Sequence, residues 1–406
     1  MRFIYSALFY LLVPFIIIRL FWRGYRQRWL ERFAYHSSNI PQGGIWIHAV
    51  SMGEVQAAVP LIKALISKFP QYCILVTTMT PTGSQRVQEV FGKQVSHVYL
   101  PYDLPGAMGR FLNKIQPRLL IIMETELWPN LLYSCKKRQI PVILANARLS
   151  ANSAAGYQRI NGLVRQIFSG ITAVAAQTSL DAARFIELGM AARKVHITGS
   201  IKFDADNLSV DDQFHIQRRV WIAASTHEGE EDIVLEAFAE LKIHFKDLLL
   251  ILVPRHPERF NKVAAKCENT KFITSRRSEE GKINLNTDIY LGDTMGELPL
   301  LYAASDVAFV GGSLVAVGGH NSLEAAALGL PVIMGPHVFE CEAIFKSLLE
   351  AEAATQVNNR AQLILAVTMY FSNDQLKTQT GENGRLFVKK NQGALEALLN
   401  IIKNYE

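Results

Sequence analysis

The chain has 406 residues, 49% of them apolar, and a formal charge of +6. That length exceeds what one ordinary core organises, so two domains of roughly 150 to 200 residues each are expected. Four scattered cysteines with no C-x-x-C spacing exclude a disulfide or zinc framework and read as reduced core thiols, while ten histidines without an H-E-x-x-H pattern give no metal constellation.

Charge is uneven at the amino end, where Arg2, Arg19, Arg23, Arg26, Arg28 and Arg32 face a single acid, Glu31. A stripe of this kind suits nucleic acid or an anionic membrane surface. The uncharged run Phe3 to Ile18, extended past Arg19 by Leu20 to Trp22, favours the membrane, at about the lower limit for a bilayer span. No small-residue cleavage site follows it; RLFWRGYRQRWLERF does, basic and aromatic, as the cytoplasmic interface prefers. Residues 1–22 are therefore expected to be an uncleaved anchor in the inner membrane, spanning it or lying in its interface, with the remainder on the cytoplasmic side and no nucleic-acid partner. Pro14 weakens the case for a straight helix.

Next, apolar runs alternate with amphipathic stretches. IWIHAV (Ile45 to Val50), CILVTTM (Cys73 to Met79), HVYLP (His97 to Pro101), LLIIM (Leu119 to Met123), PVILANA (Pro141 to Ala147) and ITAVAAQ (Ile171 to Gln177) read as strands. Val55 to Phe69 and the stretch opening at TPTGSQRVQEVF read as helices between them. Continuous apolar strands separated by helices imply a parallel sheet covered on both faces. A polar stretch, Asp204 to Arg219, reads as a linker. The alternation resumes with Val220 to Thr226, Leu248 to Pro254, Lys271 to Ser275, Asp288 to Asp293, Val307 to Gly312 and Leu330 to Gly335, and a last helix is expected over roughly Asn383 to Lys403. The expected fold is α/β: two tandem, Rossmann-like, doubly wound parallel-sheet domains with a ligand cleft between them at the carboxyl ends of the strands. The boundaries fall at 23–208 and 209–380, with 381–406 a terminal helix free to pack on either domain.

Chemistry should gather in the loops after the strands. In FVGGSLVAVGGHNSLEAAALGLPV (Phe309 to Val332) an apolar strand enters a glycine-rich turn and an alanine-rich helix, an arrangement that seats an anion on free helix N–H groups near Asn321. Glu324, one turn on, is placed to accept from ribose hydroxyls. Arg255, between prolines in VPRHP, offers a donor fork for phosphate, and Gly292 to Leu298 (GDTMGEL) offers further amides. In the first half, Glu54 of HAVSMGE is either a general base or an acid that complements a helix dipole. Glu124 and Glu126 of METELWPN point the same way if their strand continues, and then repel unless Arg148 or a function compensates. Lys202 of GSIKFD either stabilises an anion or is solvated. Asp204-Ala-Asp206 imitates a metal-binding D-x-D, but lies in the polar linker.

Taken in order, HAVSMGE, TMTPTGS, LPYDLP, METELWPN, ANARLSA, GSIKFD, STHEGEE, LVPRHPERF, GDTMGEL, FVGGSLVAVGGHNSLEAAA and NQGAL resemble the 3-deoxy-D-manno-octulosonic acid (Kdo) transferases over essentially the whole chain. The resemblance implies a GT-B glycosyltransferase fold and transfer of Kdo from CMP-Kdo to a lipid A precursor, lipid IVA, in lipopolysaccharide biosynthesis, without a metal or other cofactor. It implies that Glu54 is the general base and that Glu124 and Lys202 stabilise the transition state. Arg255, His256, Met295, Gly296, Glu297, Asn321, Ser322, Leu323 and Glu324 would line the CMP site, with Ser322 where some relatives carry proline. Leaving-group departure from one face and attack from the other would invert the anomeric centre. A sugar-nucleotide epimerase of the same architecture is the first alternative, and a non-catalytic membrane-bound lipid-binding protein the second. The number of Kdo residues added and the oligomeric state are not readable from the residues.

Overall fold

The computed structural model describes residues 2–22, 28–35, 40–204, 216–279 and 283–405. Arg23, Arg26 and most of the expected linker lie outside them. The chain divides into two compact units, one made of Met1–Asp206 with Asn391–Glu406 and the other of Asn207–Lys390.

In the first unit, strands β1 (Ile45–His48), β2 (Ile74–Thr78), β3 (Ser96–Tyr99), β4 (Leu119–Met123), β5 (Val142–Ala147), β6 (Ala173–Ala176) and β7 (Val195–Ile197) form one sheet ordered 3-2-1-4-5-6-7. Every pairing in it is parallel. The reversal of direction at β1 is the doubly wound pattern expected of alternating strands and helices. Side-chain alternation explains why both faces need helices. Trp46, Leu75, Leu120, Ile122 and Leu144 join one core cluster, while their neighbours Ile47, Ile74, Val76, Ile121 and Ile143 join the other. All ten side chains are buried, each worth about 1.5–3 kcal/mol of transfer free energy for a typical large aliphatic residue.

Helix α1 (Arg2–Trp22), with Pro14 inside it, lies on this unit. Ser6 Oγ and Arg2 Nη1 both reach Asn130 Oδ1, at 3.1 and 3.3 Å, and Phe9 packs against Tyr102. Its other face leaves Phe3, Leu8, Leu11, Leu12 and Phe15 exposed. Among the described residues no helix is long and apolar enough to cross a membrane. One side of α1 is thus packed on the protein, and the other is apolar and exposed. Beneath α1 lies an apolar cavity of about 450 Å³, lined by Val13, Ile17, Trp29, Phe33 and Ala107 among others, with Arg110 beside them.

In the second unit, β8 (Val220–Thr226), β9 (Leu249–Pro254), β10 (Thr274–Arg276), β11 (Ile289–Leu291), β12 (Val307–Val310), β13 (Val332–Met334) and β14 (Ala354–Gln356) form a parallel sheet ordered 10-11-9-8-12-13-14. Thus β11, β9 and β12, whose following loops drew attention in the sequence, lie within four consecutive strands, with β8 between β9 and β12.

The single helix expected over Asn383 to Lys403 is two helices, Asp374–Asn391 and Ala394–Lys403, interrupted at Gly393 with φ 103°. Only glycine takes that conformation freely, so the chain changes direction there. Ala394, Leu398, Leu399 and Ile402 then complete a core cluster of the first unit. Asp204 fixes the joint, its Oδ1 accepting from Gly393 N and its Oδ2 from Leu395 N, both at 2.7 Å. The first carboxylate of the D-x-D imitation thus has a capping task, and Asp206 lies outside the described residues.

Candidate functional site

Each unit carries its own cluster of polar groups at the carboxyl ends of its strands. In the first, β1 leads into helix α2 (Met52–Lys68) through Ser51, whose extended backbone and side-chain oxygen cap the helix. Glu54 is the third residue of that helix. It folds back so that Oε2 accepts from Val50 N at 2.9 Å and Oε1 from Ser51 Oγ at 3.2 Å, a reciprocal capping arrangement. This holds the carboxyl group in one pose. Burial raises its pKa from 4.5 to about 7, and the nearby carboxylates Glu126 and Glu124 push in the same direction against the Val50 amide. Burial, then Glu124, raises Glu126 as well. The structure therefore brings Glu54, Glu124 and Glu126 together.

The expectation that Glu124 and Glu126 share a strand face is corrected. β4 ends at Met123, and Glu124 takes a left-handed φ of 55°, so the chain turns before a pleat can continue. A non-glycine residue there costs of order 1–3 kcal/mol and is concentrated at functional sites. Among the described residues no ion pair joins Arg148 to either carboxylate; Arg148 is exposed, and its carbonyl accepts from Thr125 Oγ1. Lys202 is half-buried in the 3-10 turn Ile201–Asp204, which packs against α2. Asn146, at a bulge in β5 with φ 54°, anchors that turn by accepting from Ile201 N.

In the second unit, β8 carries a matching irregularity at Ser225, φ 55°, and delivers Thr226 and His227 to the strand end. The His256 ring meets His227 edge to face at 5.2 Å, and Arg255 N donates to Thr226 O. Glu231, fully buried, takes both arms of the Arg259 fork at 2.6 and 2.9 Å.

The glycine-rich turn differs from the anion seat read in the sequence. Its amides are occupied: Glu230, fully buried, accepts from Gly312 N at 2.7 Å, Ser313 N at 3.0 Å, Leu314 N at 2.9 Å and His227 N at 2.9 Å. The following helix spans only Leu323–Ala327, and Asn321 Oδ1 already accepts from Leu323 N. What faces outward are the side chains of Asn321 and Glu324, joined at 3.0 Å, while Ser322 and Leu323 are buried. This helix packs on Leu298–Ala303, which opens at Glu297, so the loops at 295–297 and 321–324 are adjacent. Met295 is exposed, Gly296 turns with φ 86°, and Glu297 is gripped by Arg277 at 2.6 and 3.0 Å, which holds its carboxyl below the usual range. Glu230 and His227 had no role in the sequence reading. The signal available was three acids, Glu230, Glu231 and Asp232, in one first helical turn, more than a dipole needs.

Among the described residues no group of three or more histidine, cysteine, aspartate or glutamate side chains is arranged to hold a metal ion.

Comparison with known proteins adds to this geometry. The family profile described as 3-deoxy-D-manno-octulosonic-acid transferase (kdotransferase) matches residues 27–205, and that of glycosyl transferases group 1 matches 223–387. The 3-deoxy-D-manno-octulosonic acid transferase of Haemophilus influenzae is 44% identical over 100% of this chain and 98% of its own length. Among solved structures, a UDP-GlcNAc 2-epimerase from Neisseria meningitidis aligns with a TM-score of 0.58 at 13% identity, covering 89% of this chain and 100% of that one. A glycosyltransferase from Rickettsia africae aligns at 0.53 and 15% identity, covering 89% and 98%. At such identities these structures speak for the fold alone, two Rossmann-like domains of GT-B type.

Proposed function

Because this chain belongs to the 3-deoxy-D-manno-octulosonic acid transferase family, we propose that it takes Kdo from CMP-Kdo and places it on a hydroxyl of a lipid A precursor, with inversion. The observation that carries the reading is Glu54: a carboxyl group fixed by its own helix cap, half-buried, and raised to about 7. A base poised near neutrality is what removal of a hydroxyl proton asks for. Glu124 and Lys202, near the same helix start, then stabilise the developing charge on the sugar, positive at the ring and negative at its carboxylate. In the second unit Arg255 and His256, the turn Met295–Glu297, and Asn321, Ser322, Leu323 and Glu324 hold the cytidylate. Glu297 and Ser322 act through the backbone they fix, since one carboxylate is committed to Arg277 and the other side chain is buried. Departure of the phosphate and entry of the hydroxyl on opposite faces of the anomeric carbon invert it.

The test is mass spectrometry of a tetra-acylated, Kdo-free lipid A precursor incubated with CMP-Kdo and the purified chain. Whole Kdo increments are expected. An unchanged precursor with free Kdo or an altered nucleotide sugar would sink the reading in favour of an epimerase or hydrolase.

The lipid character of the acceptor is supported by α1. Its exposed Leu8, Leu11 and Phe15, beside an apolar cavity and within an arginine-rich amino-end sequence, suit a helix held at an anionic inner membrane. Replacing those three residues with serine should weaken flotation with anionic vesicles by roughly tenfold or more, given about 1.5–3 kcal/mol per large apolar side chain. Equal flotation of the variant would remove α1 from the membrane contact.

A further inference from the structure

His227 and His320, 93 residues apart, meet Nε2 to Nε2 at 2.7 Å with their rings within 16° of parallel. Two nitrogens at that distance require one proton between them. Two imidazolium rings cannot make this contact, because both nitrogens would carry hydrogen; the pair is either neutral, with complementary tautomers, or carries one positive charge. The fold builds it deliberately. His227 is fixed through its amide to Glu230, and His320 lies against Gly312, where an added Cβ would stand 3.1 Å from the ring, at a φ of 69° that disfavours any side chain.

The groups around the pair are Arg255 and His256 from the loop after β9, Arg259 beyond them, and the acids Glu230 and Glu231. Both acids are already committed, Glu230 to four amides and Glu231 to Arg259. Arg255 and His256 thus stand beside the pair, where the donor reading places the phosphate. Burial and this positive surrounding hold His320 down at about 3 and His227 below its ordinary value.

We propose that the His227–His320 pair takes up one proton when a nucleotide's phosphate binds beside Arg255, and delivers it to that phosphate as the glycosyl bond breaks. This rests on the donor reading above and adds the acid that complements its base. The bond between the anomeric carbon and the phosphate oxygen breaks, its electron pair stays on that oxygen, and the proton the pair has gained, carried on an Nδ1, moves to the phosphate while the one between the two Nε2 atoms stays. The acceptor oxygen forms the new bond and gives its own proton to Glu54. One proton is given and one is received, and solvent restores both groups.

The test uses the full chain and CMP. Titration calorimetry near pH 7, in buffers of different ionisation enthalpy, should show wild type taking up more protons on binding CMP than H227Q or H320Q, which keep a hydrogen-bonding amide but cannot carry the charge. Turnover should fall by roughly 10²-fold or more in either variant with KM little changed, and the double variant should be no worse than the singles. Nitrogen-15 spectra of histidine in the wild type need no variant: one Nδ1 signal should move toward the imidazolium position when CMP is added. A wild type that binds no CMP overturns the donor reading and this inference together. CMP binding with the same proton uptake in wild type and variants, or with unmoved histidine signals, overturns this inference alone.

Discussion

Glu54→Gln should lower transferase turnover by roughly 10²- to 10⁴-fold, the range that a positioned general base supplies, while CMP affinity stays within a few-fold. Gln keeps the acceptor for Val50 N and the contact to Ser51 but cannot take a proton. In the wild type, turnover should rise with pH through an apparent pKa near 7, because the acting form of Glu54 is the carboxylate. Stability should run the other way. The folded pKa of about 7 lies above the ordinary 4.5, so the folded chain holds more protons than the unfolded one between those values. Stability therefore falls as pH climbs through that window, and the whole loss is present above pH 7. The variant escapes it: its melting temperature should exceed that of wild type at pH 8 and match it near pH 4. A stabilised variant at pH 8 with normal turnover would leave the buried carboxyl real and its proposed task wrong.

The contrast between strands and contacts explains what the sequence could and could not reveal. Runs such as LLIIM and LLLILVP are buried on both faces, so hydropathy alone located β4 and β9. β7 and β14 escaped because they are three-residue edge strands with exposed side chains, Ile197 among them, and carry no such signal. The loops of interest were legible from their place after strands and from glycines. Their wiring was not, since Glu230 bonds amides 82 to 84 residues away and His227 meets a ring 93 residues on. Local spacing cannot encode a partner at that separation. The left-handed turn at Glu124 is similarly invisible, because nothing in METEL forces φ positive; the surrounding fold does. At the amino end the apolar run was visible, but the docking of Arg2 and Ser6 on Asn130 depends on a helix 128 residues further along.

That distant wiring makes Glu230 the residue whose loss should cost the second unit most. Its two oxygens satisfy four backbone amides on two segments, tying the start of the helix after β8 to the turn after β12. Burial pushes its pKa up, and the four amide hydrogens oppose that rise. Glu230→Ala would leave those donors buried without acceptors. Removing one partner from a buried charged arrangement typically costs about 3–5 kcal/mol, roughly 6–20 °C in melting temperature for a unit of this size. CMP binding should disappear with it, since the turn that bears His320 and Asn321 loses its fixed point. Glu230→Gln separates charge from shape: its amide nitrogen faces N–H donors that repel it, so it should fall close to alanine rather than to wild type. Thermal melting of both variants, read alongside CMP titration, decides the matter. If alanine melted within about 2 °C of wild type and still bound the nucleotide, the glycine-rich turn would be held by its own backbone, and the buried carboxylate would be incidental to the site.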